Sequence, residues 1–94
     1  MSEFKIGVVG VGKMGEYHVG VLSEMREVDL VGVVDSDQER AKKISEQYKT
    51  HSYKNYKDLF KLVDGVVLAV PTSMHFAIGK EFIEAGIHTL LEKP

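Results

Sequence analysis

Strand-like apolar runs alternate with helix-like amphipathic ones from end to end of this 94-residue chain, and no other feature narrows its fold as far. A chain with this alternation buries its strands under helices, which is the arrangement of a parallel sheet with helices on its faces. Residues 4 to 9 bring Ile6, Val8 and Val9 together in a first strand. Met14, His18, Val21, Leu22 and Met25 then recur at helical spacing, predicting a helix over residues 13 to 26. A second apolar run, residues 30 to 34, ends on Asp35. Ser36 and Glu39 stand three apart as a capping box for a second helix, whose inward face carries Ala41, Ile44 and Tyr48.

Residues 50 to 53 predict a short third strand, and residues 56 to 62 a brief helix with Asn55 as its N-cap. Residues 65 to 70 form a buried strand stopped by Pro71, which cannot continue a ladder. Thr72 or Ser73 is placed to cap the next helix, with Ala77, Ile78, Phe82 and Ala85 as its inward stripe and Gly86 at its left-handed C-terminal position. Residues 87 to 91 read as a fifth strand.

The junction between the first strand and helix carries Gly10-x-Gly12-x-x-Gly15, and Asp35 follows twenty residues after the last glycine. Each glycine has its own physical task. Gly10 lets the chain turn sharply, Gly12 leaves room for a pyrophosphate against the backbone, and Gly15 lets the helix lie close to the strand. The phosphates then meet the unpaired N–H groups and the positive dipole end of the helix. An acid at the end of the second strand, here Asp35, accepts hydrogen bonds from the adenosine ribose. The spacing alone is weak evidence in a chain with nine glycines, but its position between strand and helix makes it a dinucleotide-binding layout. The same spacing disfavours an S-adenosylmethionine site.

Right-handed crossovers give the strand order 3-2-1-4-5. The expected fold class is α/β, a Rossmann-like doubly wound parallel sheet truncated before a sixth strand, with residues 1 to 94 forming one incomplete dinucleotide-binding domain. In that order residues 10 to 15 and 71 to 75 face one crevice.

A formal charge of −2 without a basic block gives no electrostatic footprint for nucleic acid or a membrane surface. No apolar run approaches the roughly 20 residues of a membrane helix, and the N-terminus lacks signal-peptide character. A cytoplasmic protein is expected. The absence of cysteine excludes disulfides and thiolate chemistry within these residues, and no histidine pair has metal-ligand spacing, so no metal is expected.

Three separated segments, Gly10-Val-Gly-Lys-Met-Gly-Glu-Tyr-His18, Val70-Pro-Thr-Ser-Met-His75 and Gly86-Ile-His-Thr-Leu-Leu-Glu-Lys-Pro94, resemble the N-terminal domain of the Gfo/Idh/MocA oxidoreductases. Asp35-x-Asp37-x-x-Arg40-Ala41 also matches that family's second strand and following helix. The resemblance implies an NAD(P)-dependent dehydrogenase that moves a hydride between the nicotinamide and a sugar, cyclitol or related polyol. It implies cofactor contacts from Gly10, Val11, Gly12, Lys13, Met14 and Gly15, from Asp35, Ser36 and Arg40, and from Val70, Pro71, Thr72, His75, Glu92 and Lys93. Lys93 is expected beside nicotinamide and substrate as the catalytic residue within this chain. Asp35, with no basic residue directly after it, resembles the NAD-preferring members, because its carboxylate would repel a 2′-phosphate; Arg40 would soften that preference if it reached back.

In this family a second α/β domain covers the substrate and supplies the principal acid/base aspartate and histidine, so the 94 residues resemble part of a longer protein and are expected to be inactive alone. A homo-oligomer is expected, because an unpaired strand 5 invites self-association. A non-catalytic NAD(H) sensor is the alternative from another functional class. Among the histidines, His18 is expected to be packed and hydrogen-bonded, while His51 and His88 read as strand-end or surface residues. His75 falls in the first turn of a helix facing the crevice, where a functional role and simple exposure are equally weighted.

Overall fold

The computed structural model describes residues 3–92. The elements follow in the order β1 (Phe4–Val9), α1 (Lys13–Ser23), β2 (Val28–Val34), α2 (Gln38–Gln47), β3 (His51–Tyr53), a 3-10 turn at Tyr56–Leu59, β4 (Gly65–Leu68), α3 (Thr72–Glu84) and β5 (His88–Leu91). All strand pairs are parallel, and the sheet order is β3-β2-β1-β4-β5, as the alternation and crossover rules require.

The period of two along each strand splits the core into two layers. Val8, Val33 and Val67 point to one side and pack with Val19 of α1 and Ala41 and Ile44 of α2. Their strand neighbours Val9, Val34, Val66 and Leu68 point to the other, against Leu59, Ile78 and Phe82. Phe60 meets Phe82 edge to face at a centroid distance of 4.9 Å, a favoured aromatic geometry that anchors the 3-10 turn to α3. The Tyr56 hydroxyl donates to Glu81 of the same helix.

Several local expectations shift. α1 ends at Ser23, three residues early, because the Glu24 and Met25 amides bond back to Val21 and Leu22 in tightened turns. Its buried face is Gly15 and Val19, with Met14, Val21 and Met25 37%, 44% and 45% exposed. Gly15 is drawn onto the Gly10 carbonyl, which turns the helix away from the predicted stripe.

The second helix is capped by Asp37, whose side chain accepts from the Arg40 amide, and not by a Ser36–Glu39 box. The start moves one residue because Asp35 holds the Asp37 amide. Asn55 does cap the following turn, with Asp58 completing the reciprocal pair. β4 stops at Leu68, two residues short of the predicted end, and the chain leaves the sheet toward Pro71. No side chain caps α3, so neither Thr72 nor Ser73 has the expected role. Its inward residues are Ile78, Gly79 and Phe82, while Ala77 and Ala85 are exposed.

Candidate functional site

The glycine loop is built by backbone contacts that admit no side chain. Gly10 has a φ of 93°, and a Cβ there would stand 2.5 Å from the Ala69 carbonyl oxygen. A Cβ on Gly15 would lie 1.7 Å from the Gly10 oxygen, so the first turn of α1 rests directly on the loop. Gly12 differs from both, since a Cβ at that position meets no protein atom within 4 Å. It is also the N-cap of α1 and forms no side-chain cap. The first-turn amides of α1, which lack intrahelical partners, therefore surround a space that protein packing leaves open.

That space opens into a cleft of about 420 Å³ at the carboxyl ends of the strands. Gly10 and Gly12 form one wall, and Asp35, Ser36 and Arg40 form the end beyond β2. Val70 and Pro71 from the segment after β4, with Met74 and Ile78 of α3, give an apolar wall. This is the crevice at the reversal of strand order, where α/β sheets bind their ligands.

Asp35 is 6% exposed and heavily bonded. Its Oδ2 accepts the Val11 N–H at 2.8 Å, while Oδ1 accepts the Asp37 N–H at 2.8 Å and the Arg40 guanidinium at 3.1 Å. Burial pushes the carboxyl up, but the bonds from Asp37, Val11 and Arg40 outweigh it and hold the group below the ordinary carboxylate value. Asp35 thus remains charged at neutral pH and ties the glycine loop to the start of α2.

The structure brings together Gly10, Gly12, Asp35, Ser36, Arg40, Val70 and Pro71 of the sequence-predicted residues around one cleft. Val11 is buried beneath it, and Gly15 supports it from below. Lys13 and Met14 follow on the exposed side of α1, Lys13 against a separate shallow groove. Thr72 and His75 lie in the first turns of α3 outside the cleft wall, with His75 Nε2 buried and lacking a hydrogen-bond partner among the described residues. Glu92 accepts from His18 Nε2 at 3.0 Å, so His18 is packed and hydrogen-bonded as its spacing suggested. Lys93, the expected catalytic residue, lies outside the described residues.

Lys54, Asn55 and Tyr56 complete the cleft and were not anticipated. The signal was available in the topology: a parallel β3 beside β2 delivers the residues after Tyr53 to the same edge as Asp35. Among the described residues no group of three or more potential metal ligands occurs, and no helix is long and apolar enough to cross a membrane.

Comparison with known proteins resolves which family has built this cleft. The model of the oxidoreductase family with an NAD-binding Rossmann fold, Gfo/Idh/MocA, matches residues 4–94. The chain belongs to the Gfo/Idh/MocA oxidoreductase family.

Among its relatives, the UDP-N-acetylglucosamine 3-dehydrogenase of Acidithiobacillus ferrooxidans is 34% identical over 94 residues, which are 100% of this chain and 29% of the relative. The glucose-6-phosphate 3-dehydrogenase of Bacillus subtilis is 30% identical over 90 residues, 96% of this chain and 26% of that protein. The crystal structure of GenD2 from gentamicin A biosynthesis, in complex with NAD, superposes with a TM-score of 0.93 at 31% identity, covering 100% of this chain and 28% of that one. The chain therefore spans under a third of the length of these Gfo/Idh/MocA relatives and corresponds to their NAD-binding Rossmann domain.

Proposed function

We propose that this chain is the cofactor-binding part of an oxidoreductase that transfers a hydride between NAD and a sugar, cyclitol or related polyol. The observation that carries this reading is the open space at Gly12: protein packing requires glycine at 10 and 15, whereas at 12 nothing in the chain occupies the room a side chain would take. A pyrophosphate fits there, against the uncapped first turn of α1. When bound, the nicotinamide supplies the hydride acceptor or donor. The dehydrogenase names of the sugar-acting relatives support the substrate class.

Asp35 carries the preference for NAD over NADP. Its buried carboxylate is charged at neutral pH and would repel a 2′-phosphate, and Arg40 is already engaged with that carboxylate. The adenosine ribose would take the remaining acceptor capacity of Asp35, with Ser36 beside it. Val70 and Pro71 border the cofactor, Thr72 and His75 stand toward its nicotinamide side, and Lys93 is the catalytic residue of this part of the protein. The family's main acid/base groups lie in a second domain of the whole protein.

Titrating the chain with NADH and following nicotinamide fluorescence tests the reading. Saturable binding that Gly12→Val abolishes, with an unchanged melting temperature, supports it; a folded chain with no NADH affinity overturns it. Binding without turnover of any polyol by the whole protein would instead favour a sensor of NAD(H).

A further inference from the structure

Glu92 belongs to the motif that resembles the family's ending, yet its carboxylate is bonded to a helix and is absent from the cleft wall. The bond from His18 Nε2 spans 74 residues and is half-buried, with side chains 20% and 30% exposed. Tyr17 packs edge-on against the His18 ring at 5.8 Å. On the other side, the Glu92 amide donates to the Leu68 carbonyl at 2.9 Å, so its backbone is registered on β4.

These contacts have a consistent geometry. β5 is an edge strand that pairs with β4 and has no further strand beside it among the described residues. His18 is the sixth residue of α1, about 7.5 Å along the helix from its start at 1.5 Å per residue. The side-chain bond therefore ties the end of the edge strand to the helix that follows the glycine loop. Two acids follow strands on opposite sides of β1 and are each held by a basic side chain: Asp35 after β2 by Arg40, and Glu92 after β5 by His18. A dinucleotide with its ribose at Asp35 and its pyrophosphate at Gly12 would extend past the ends of β1 and β4, on the side of the sheet where β5 lies.

We infer that Glu92 is a positioning residue for the nicotinamide half of the cofactor: through its bond to His18 it fixes the end of β5 against the glycine-loop helix, without touching the cofactor itself. This rests on the NAD-binding reading above. A positioning role predicts that His18 and Glu92 act as one unit, because removing either partner frees the same segment.

The test compares NADH with ADP-ribose, which lacks the nicotinamide, on the wild-type chain and on His18→Ala, Glu92→Ala, Glu92→Gln and the double alanine variant. The expected result is about a fivefold loss of NADH affinity in either alanine variant, the worth of one hydrogen bond. The double variant should be no worse, ADP-ribose affinity should be unchanged, and Glu92→Gln, which still accepts from His18, should recover most of the loss. Amide exchange at Glu92 should quicken in the alanine variants, reporting release of the segment independently of any ligand. Weaker NADH binding in Glu92→Ala but not in His18→Ala would mean that Glu92 contacts the cofactor and would overturn the inference. So would equal NADH affinity in every variant, or equal losses for NADH and ADP-ribose. A folded wild type that binds neither ligand would instead overturn the NAD reading, and the inference with it.

Discussion

The Asp35 carboxylate accepts the Val11 amide at 2.8 Å across 24 residues of sequence, joining the acid proposed to face the ribose to the loop proposed to face the phosphates. One side chain therefore shapes both parts of the proposed adenosine site. Its loss is a structural event as well as a binding one.

Asp35→Asn should destabilise the chain at neutral pH by about 1–3 kcal/mol, because an amide cannot accept from all three donors that the carboxylate satisfies. The folded-state value of Asp35 lies below its unfolded one, so its contribution is complete above about 3.9 and is lost as pH falls through the folded value. Thermal melts of wild type and Asp35→Asn from pH 7 to pH 2 should accordingly converge at the acid end. A constant gap would contradict the assignment.

One methyl group should have opposite effects at two glycines of the same loop. Gly15→Ala places a Cβ 1.7 Å from the Gly10 oxygen and should cost at least about 3 kcal/mol or prevent folding. Gly12→Ala meets no protein atom and should change stability by less than about 1 kcal/mol while weakening NADH. Chemical denaturation combined with NADH titration separates the two.

Phe82 is fully buried beneath the 3-10 turn, so Phe82→Ala should cost about 3–5 kcal/mol in urea denaturation. Tyr56 lies above it and donates to Glu81; that bond, with burial, raises the phenol above its ordinary value. The stability from this bond is present below the unfolded value of about 10 and is lost as pH rises through the folded one. Tyr56→Phe should be less stable than wild type at pH 8, and ultraviolet titration of the wild type should show two tyrosines ionising late, Tyr48 and Tyr56, of which Tyr56→Phe removes one.

Phe76, Ile83, Leu90 and Leu91 are 80%, 63%, 53% and 50% exposed on α3 and the edge strand β5, which pack together. Light scattering of the isolated chain should detect dimers or larger species that Leu90→Lys diminishes. A monomer at high concentration would contradict this.

The strand order was readable because apolar alternation needs no tertiary information: Val8 and Val9 face opposite layers by the pleat alone. The glycine loop and Asp35 were readable for the same local reason. Helix faces and caps were less so. The Gly10–Gly15 contact rotates α1, and the Asp35–Asp37 bond moves the start of α2; both partners are near in sequence, but the contacts depend on the path of the backbone, which hydrophobic spacing does not encode. Lys54, Asn55 and Tyr56 stayed hidden because their place in the cleft follows from β3 lying beside β2, not from their own chemistry.

In the register of the sheet, Ile6 of β1 pairs on one side with Leu30 and on the other with Gly65. During synthesis from the N-terminus, β2 is available to β1 long before β4 has left the ribosome. The central strand must therefore keep one edge unsatisfied while some thirty further residues are made, at about 5–20 residues per second. For a few seconds the strand that leads into the glycine loop has an unpaired edge, and the strand that closes it, β4, leads directly into the Ala69–Pro71 segment that lines the cleft.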